Sequence, residues 1–135
     1  MILAIDPGRD KTGLAIYDPA KRSVRSHQII LTPDFSQSIL AWSKELVLQL
    51  ILLGDGTSAL TFQKKLAELV PQIPVRLIDE SFSTLEARQL YFDLYPPHGL
   101  KKFIPRSLRT PERPIDDLVA IILLERYLGE MPKID

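Results

Sequence analysis

Three short strand-like segments follow one another at the start of this chain, and helix-like and strand-like segments then alternate to its end. Ile2 to Ile5 is an apolar run that reads as a fully buried strand, ended by Asp6-Pro7-Gly8. Thr12 to Tyr17 is β-prone, follows a hairpin through Arg9-Asp10-Lys11, and is broken by Asp18-Pro19. Val24 to Leu31 reads as a third strand, with Pro33 just after it. Three such strands in a row predict an antiparallel meander. Next, Phe35, Ile39, Trp42, Leu46 and Leu50 are spaced for one helical face. Leu50 to Leu53 is a buried strand closed by Gly54-Asp55-Gly56. A second helix presents Phe62, Leu66, Leu69 and Val70 and ends at Pro71 and Pro74, and Val75 to Ile78 is a fifth strand. Ser83 and Glu86 match a capping box, so a third helix starts there and runs towards Tyr95. Pro114 suits the first turn of a last helix that carries Leu118, Val119, Ile122 and Leu123 to about Leu128.

The order β-β-β-α-β-α-β-α-α predicts an α/β fold with a mixed five-stranded sheet and helices packed on it. The length of 135 residues suits one domain, 1–135, and 45% hydrophobic residues supply a core for it. Only the stretch from about 96 to 113 lacks a period and reads as flexible.

Lysine plus arginine number 17 and aspartate plus glutamate number 17, so the chain has no net charge. A nucleic-acid-binding protein usually carries a basic excess. The distribution qualifies that argument: Lys101, Lys102, Arg106, Arg109 and Arg113 lie between 98 and 113, with Glu112 the only acid. A basic loop of this kind suits tracking along a phosphate backbone. The absence of cysteine excludes disulfides, zinc thiolate sites and thiol nucleophiles. The first residues lack a basic region and a long apolar run, and no segment has the length of a membrane span. These features lead us to expect a soluble, cytoplasmic protein with no membrane partner. His27 and His98 have no partner motif and read as surface residues. Trp42 reads as core.

The acids fall at informative places. Asp6 ends the first strand, Asp55 the fourth, and Asp79 and Glu80 the fifth, while Asp116 and Asp117 open the last helix. In open α/β sheets the carboxyl ends of the strands form the ligand crevice. Grouped carboxylates repel one another and are costly to desolvate unless a cation neutralises them. Mg²⁺ accepts such oxygen ligands, and a pair of ions roughly 4 Å apart can activate water and stabilise a leaving oxygen. Each acid also has an ordinary reading. Asp55 between two glycines suits a turn, and Asp117 in a first helical turn suits the helix dipole. Asp6, held between an apolar strand and Pro-Gly, is the strongest functional candidate. Arg9 and Lys11 beside it suit either phosphate binding or a solvated turn.

The run Ile5-Asp6-Pro7-Gly8-Arg9-Asp10-Lys11-Thr12-Gly13-Leu14-Ala15 resembles the first hairpin of RuvC-type Holliday-junction resolvases and of the related YqgF (RuvX) family. Asp79-Glu80-Ser81-Phe82-Ser83-Thr84 looks more like YqgF, and the segment from Ile115 to Leu128 is similar to the last helix of both. The resemblance spans nearly the whole chain in motif order. It implies a ribonuclease H-like fold and a Mg²⁺- or Mn²⁺-dependent endonuclease with Asp6, Glu80 and Asp116 as catalytic and metal-binding acids. Asp55 or Asp117 is a possible fourth acid, and Arg9, Lys11, Lys101, Lys102, Arg106 and Arg109 are candidate nucleic-acid contacts. Two departures stand out. RuvC has a second acid one turn before the match to Asp116, where this chain has Arg113. YqgF has an apolar-proline ending after the fourth strand, where this chain has Gly54-Asp55-Gly56.

RuvC resemblance implies four-way DNA junctions cut by a dimer. YqgF resemblance implies 5′ processing of precursor 16S rRNA, with a monomer as the alternative state. A non-catalytic nucleic-acid-binding module of the same fold is the main competitor, and an incomplete carboxylate site would favour it. A nucleotide-binding, actin-like domain is a third reading, disfavoured because one short chain supplies only one of the two domains needed and has no P-loop.

Overall fold

The apolar run at the start forms β1 (Ile2–Asp6), a strand buried from Ile2 to Ile5 at the middle of the sheet. The computed structural model describes residues 1–135. β1 pairs antiparallel with β2 (Lys11–Asp18), and β2 pairs antiparallel with β3 (Ser23–Leu31). α1 (Phe35–Glu45) then crosses to β4 (Leu50–Gly54), which runs parallel to β1. α2 (Ala59–Leu69) leads to β5 (Val75–Ile78), parallel to β4. α3 (Ser83–Leu94), two short 3₁₀ turns and α4 (Asp116–Leu128) follow. No helix is long and apolar enough to cross a membrane.

The sheet has six strands rather than five, in the order β5-β4-β1-β2-β3-β6. The added strand, β6 (Lys133–Ile134), is two residues long and pairs parallel with Ser23 and Val24. Two residues carry no periodicity, so only tertiary pairing reveals them.

Alternation along the strands builds a core on each face of the sheet. Leu3, Ile5, Leu14 and Ile16 face α1 and α2, where the Phe35 and Phe62 rings meet edge to face with centroids 4.7 Å apart. Ala4, Ala15 and Tyr17 face α3 and α4. All residues from Asp117 to Leu124 are buried, so α4 is apolar all round and reads as a core helix rather than a surface one.

Three boundaries differ from the sequence reading. α1 stops at Glu45, where Leu46 turns extended, although Leu46 still packs on the same core. α4 begins at Asp116, with Ile115 before it in a non-helical conformation, so Pro114 precedes the helix. The capping box at α3 does not form. Phe82 occupies the cap position at φ 61°, Ser83 makes no cap hydrogen bond, and Glu86 instead pairs with Arg126 of α4. A tertiary ion pair has displaced a local one.

The seating of α4 depends on Gly13. A Cβ at this position would collide with the carbonyl of Asp116 and the amide of Asp117, which are backbone and cannot swing aside. Gly13 also stands opposite Asp6 in the β1–β2 register. We therefore expect Gly13→Ala to lower stability by about 3 kcal/mol, the upper range for overpacking a closed core, read from urea unfolding midpoints. An unchanged midpoint would mean that α4 does not rest on β2 at this point.

Candidate active site

The parallel strands β1, β4 and β5 end side by side and carry Asp6, Gly54 with Asp55 beyond it, and the Asp79–Glu80 turn. The first residue of α4, Asp116, reaches the same edge because Gly13 lets the helix approach. Asp6 is half-buried. Its carboxyl is pushed up to about 7, first by burial, then by the charges of Glu80 and Asp116. The three acids expected to act together are thus neighbours in the fold.

Glu80 enters this edge through a cradle. A Cβ at Gly54 or at Gly56 would overlap the Glu80 carboxylate where it now lies, so both glycines leave room for that placement. The Gly54-Asp55-Gly56 run that departs from the family pattern therefore has a steric reason. Asp55 braces the cradle: its amide donates to the Ile78 carbonyl at 3.0 Å, and its Oδ1 accepts the Glu80 amide at 3.1 Å. Burial, then the charges of Asp55 and Asp79, raise the Glu80 carboxyl above its usual range. Glu80 Oε2 is buried with no hydrogen-bond partner.

Asp117 is placed differently from its neighbour. It is buried, at 4% exposure, and its carboxylate is held by His27 and Arg113. His27 Nδ1 lies 2.6 Å from Oδ2, and Arg113 donates to Oδ1 at 2.9 Å and to Oδ2 at 3.3 Å. Burial alone would raise its carboxyl, but the hydrogen bonds from His27 and Arg113 outweigh it and the group lies below its usual range. Asp117 therefore anchors α4 to β3 instead of facing the acid edge. His27 is correspondingly not a free surface residue, because its side chain is only 21% exposed and closes this pair. Arg113 and Asp117 are four residues apart, an ordinary ion-pair spacing, but spacing along the chain had no means of adding His27, 90 residues from Asp117.

The expected basic contacts divide. Arg9 and Lys11 are exposed on the first hairpin, Arg9 loosely beside Asp10 at 3.8 Å. Lys102 is exposed and lies over the Phe103 ring. The other three loop cations are engaged within the fold. Lys101 pairs with Glu112 at 2.5 Å, Arg106 with Asp93 at 2.6 Å, and Arg109 donates to the carbonyls of Ile104 and Lys102. The basic stretch is thus partly a set of internal ties, which its composition alone concealed.

The donor set can be tested for a metal. Three neighbouring carboxylates, one with an unpartnered buried oxygen and one pushed up to about 7 by burial and by the charges of the others, have the chemistry that a hard divalent cation satisfies. As they stand, no three acidic or histidine side chains are arranged to enclose an ion, so a cation would have to draw them together. Arg126, which the sequence reading did not single out, also borders the site through the carbonyls of Asp79 and Ser81.

Comparison with known proteins gives the chain its relatives. Residues 1–130 match the family described as "RuvX: Holliday junction resolvase". A protein of Porphyromonas gingivalis named "Putative pre-16S rRNA nuclease" is 31% identical over 144 residues, covering 94% of each chain. One of Azobacteroides pseudotrichonymphae with the same name is 28% identical over 143 residues, covering 98% of each. The solved structure of T. thermophilus RuvC in complex with a Holliday junction substrate superposes with a TM-score of 0.51 at 12% identity, covering 97% of this chain and 98% of that one. That likeness establishes a shared ribonuclease H-like fold.

The state of Asp6 gives a measurable pH dependence. The folded protein holds this proton more tightly than the unfolded chain, whose value is 3.8 against about 7. Ionisation therefore costs the folded state, and stability is lost as pH rises from about 4 to about 7, by at most about 1.4 kcal/mol per pH unit. Without divalent cations, Asp6→Asn should gain on wild type across that interval and hold a constant advantage above it. Urea midpoints from pH 4.5 to 8.5 measure this, and a pH-independent difference would return Asp6 to the ordinary carboxylate range.

Proposed function

The chain belongs to the RuvX Holliday junction resolvase family, and from that premise we propose that it is a metal-dependent endonuclease acting on structured RNA, with precursor 16S rRNA as substrate. The observation that carries the reading is the gathering of Asp6, Glu80 and Asp116 at the carboxyl edge of the parallel strands, where burial first, and then the charges of Glu80 and Asp116, push Asp6 to about 7. A fold gains nothing from such crowding unless a cation relieves it. The RNA assignment rests on relatives that span nearly the whole chain and carry a pre-16S rRNA nuclease name.

Asp6, Glu80 and Asp116 would hold Mg²⁺ or Mn²⁺, with Asp55 near enough to Glu80 to serve as a further acid. When bound, the metal supplies activation of the attacking water and stabilisation of the leaving oxygen. The protein's own part is placement. Gly54 and Gly56 admit the Glu80 carboxylate, Gly13 admits Asp116, and the His27–Asp117–Arg113 cluster fixes the first turn of α4. Arg9, Lys11 and Lys102, the expected cations left free for solvent, suit contacts to the substrate phosphates. The protein acts in the cytoplasm on this reading, where precursor rRNA is found.

One observation favours a second reading. No three acids enclose an ion as they stand, which suits a nucleic-acid-binding module that does not cut. A cleavage assay separates the two. Precursor 16S rRNA fragments and four-way DNA junctions are incubated with wild type in Mg²⁺ or Mn²⁺. The RNA should be cut at its 5′ leader, and Asp6→Asn, Glu80→Gln and Asp116→Asn should each reduce the rate by about 100-fold or more, beyond the loss from an outer contact to a metal ligand. RNA binding without metal-dependent cutting would establish the binding module. Cutting of junctions alone would overturn the RNA assignment.

A further inference from the structure

Glu80 sits in a turn tied from within by two bonds, the Ser81 amide to Asp79 Oδ1 at 2.9 Å and the Ser83 amide to the Glu80 carbonyl at 3.0 Å, neither of which holds the Asp79 and Ser81 carbonyls. Phe82, two residues on, has φ 61° and is 78% exposed. A non-glycine residue in the left-handed region persists only where surrounding contacts over-determine it. The capping box that would have fixed this helix start locally is absent. The turn's outward-facing carbonyls are held from α4. Arg126 Nη1 donates to the Asp79 carbonyl at 2.6 Å, and Nη2 donates to the Ser81 carbonyl at 2.5 Å. These are the residues on either side of Glu80. The same guanidinium pairs with the Glu86 carboxylate, and its side chain is 23% exposed.

We propose that Arg126 is a positioning residue for Glu80: by gripping the carbonyls that flank it, the guanidinium fixes the direction in which the Glu80 carboxylate enters the Gly54–Gly56 cradle. The planar fork of arginine matches two carbonyls at once, which a lysine ammonium does not. The same helix carries Asp116 at its first residue. α4 thus sets two of the acids, one as part of itself and one through Arg126. The catalytic consequence rests on the nuclease reading above, whereas the effect on the turn does not.

The competing role is a plain tie between α3 and α4 through Glu86, and the two roles separate by mutation. Glu86→Ala removes the tie but leaves both carbonyl bonds, whereas Arg126→Ala removes all three. Hydrogen exchange by NMR reports the turn through two amides, Glu80 to Asp55 and Ser83 to the Glu80 carbonyl. In Arg126→Ala both should exchange about tenfold faster or more, and kcat should fall about 10- to 100-fold with KM within about twofold, the range for losing a contact that orients a reacting group. Arg126→Lys, which keeps a donor and the fold, should fall between. Glu86→Ala should leave exchange and kcat near wild type. Unchanged exchange in Arg126→Ala and Arg126→Lys, or equal effects from Glu86→Ala, would overturn the assignment. If wild type cuts no nucleic acid, the nuclease reading fails and the exchange rates still decide the role of Arg126.

Discussion

The seat of the last helix on the central strands is the constraint from which the rest of this structure follows. α4 buries Leu118, Ile121, Ile122, Leu123 and Leu124 against the sheet and α3. At about 2 kcal/mol for each such side chain, this burial contributes on the order of 10 kcal/mol. Raising the Asp6 carboxyl from 3.8 to about 7 opposes it by roughly 4 kcal/mol at neutral pH. The apolar seat outweighs the electrostatic cost, so the fold can hold acids together that would otherwise move apart. Gly13 is where the two demands meet, since it lies opposite Asp6 and beneath the start of α4.

Two adjacent aspartates at the start of α4 receive opposite treatment. Asp117 turns inward, where His27 lies at hydrogen-bond distance and the Arg113 guanidinium balances its charge. Asp116 remains half-buried at the acid edge. Arg113, standing where a related family has an acid, is therefore not simply a missing ligand. It supplies the charge that makes the burial of Asp117 tolerable, because one buried acid without partners would be strongly destabilising. The loop cations between 98 and 113 repeat the pattern: much of what looks in sequence like free positive charge is engaged in holding the chain.

Much of the architecture was legible because it is written in local periodicity. The apolar run before Asp6, the helical stripes of α1 and α2 and the all-round apolar α4 each announce an element and its burial. The acids Asp6, Glu80 and Asp116 were legible as strand-end and helix-start positions reinforced by motif order. What could not be read is tertiary. Gly13 and Gly56 look like ordinary turn or strand residues until another segment is packed on them. His27 and Arg126 find partners 90 and 40 to 47 residues away. The capping-box pattern at Ser83 and Glu86 was a true local signal that lost to the more distant Arg126.

The central claim is that these three carboxylates form a cation-binding centre rather than an accident of packing. Titration of the Asp6 carboxyl carbon by ¹³C NMR, with and without Mg²⁺, tests it most directly. The account predicts titration near 7 without divalent cations, and a fall to the usual carboxylate range or below once Mg²⁺ is added, because the cation stabilises the ionised form. A titration near 4 without metal, or one near 7 that Mg²⁺ leaves unmoved, would contradict it.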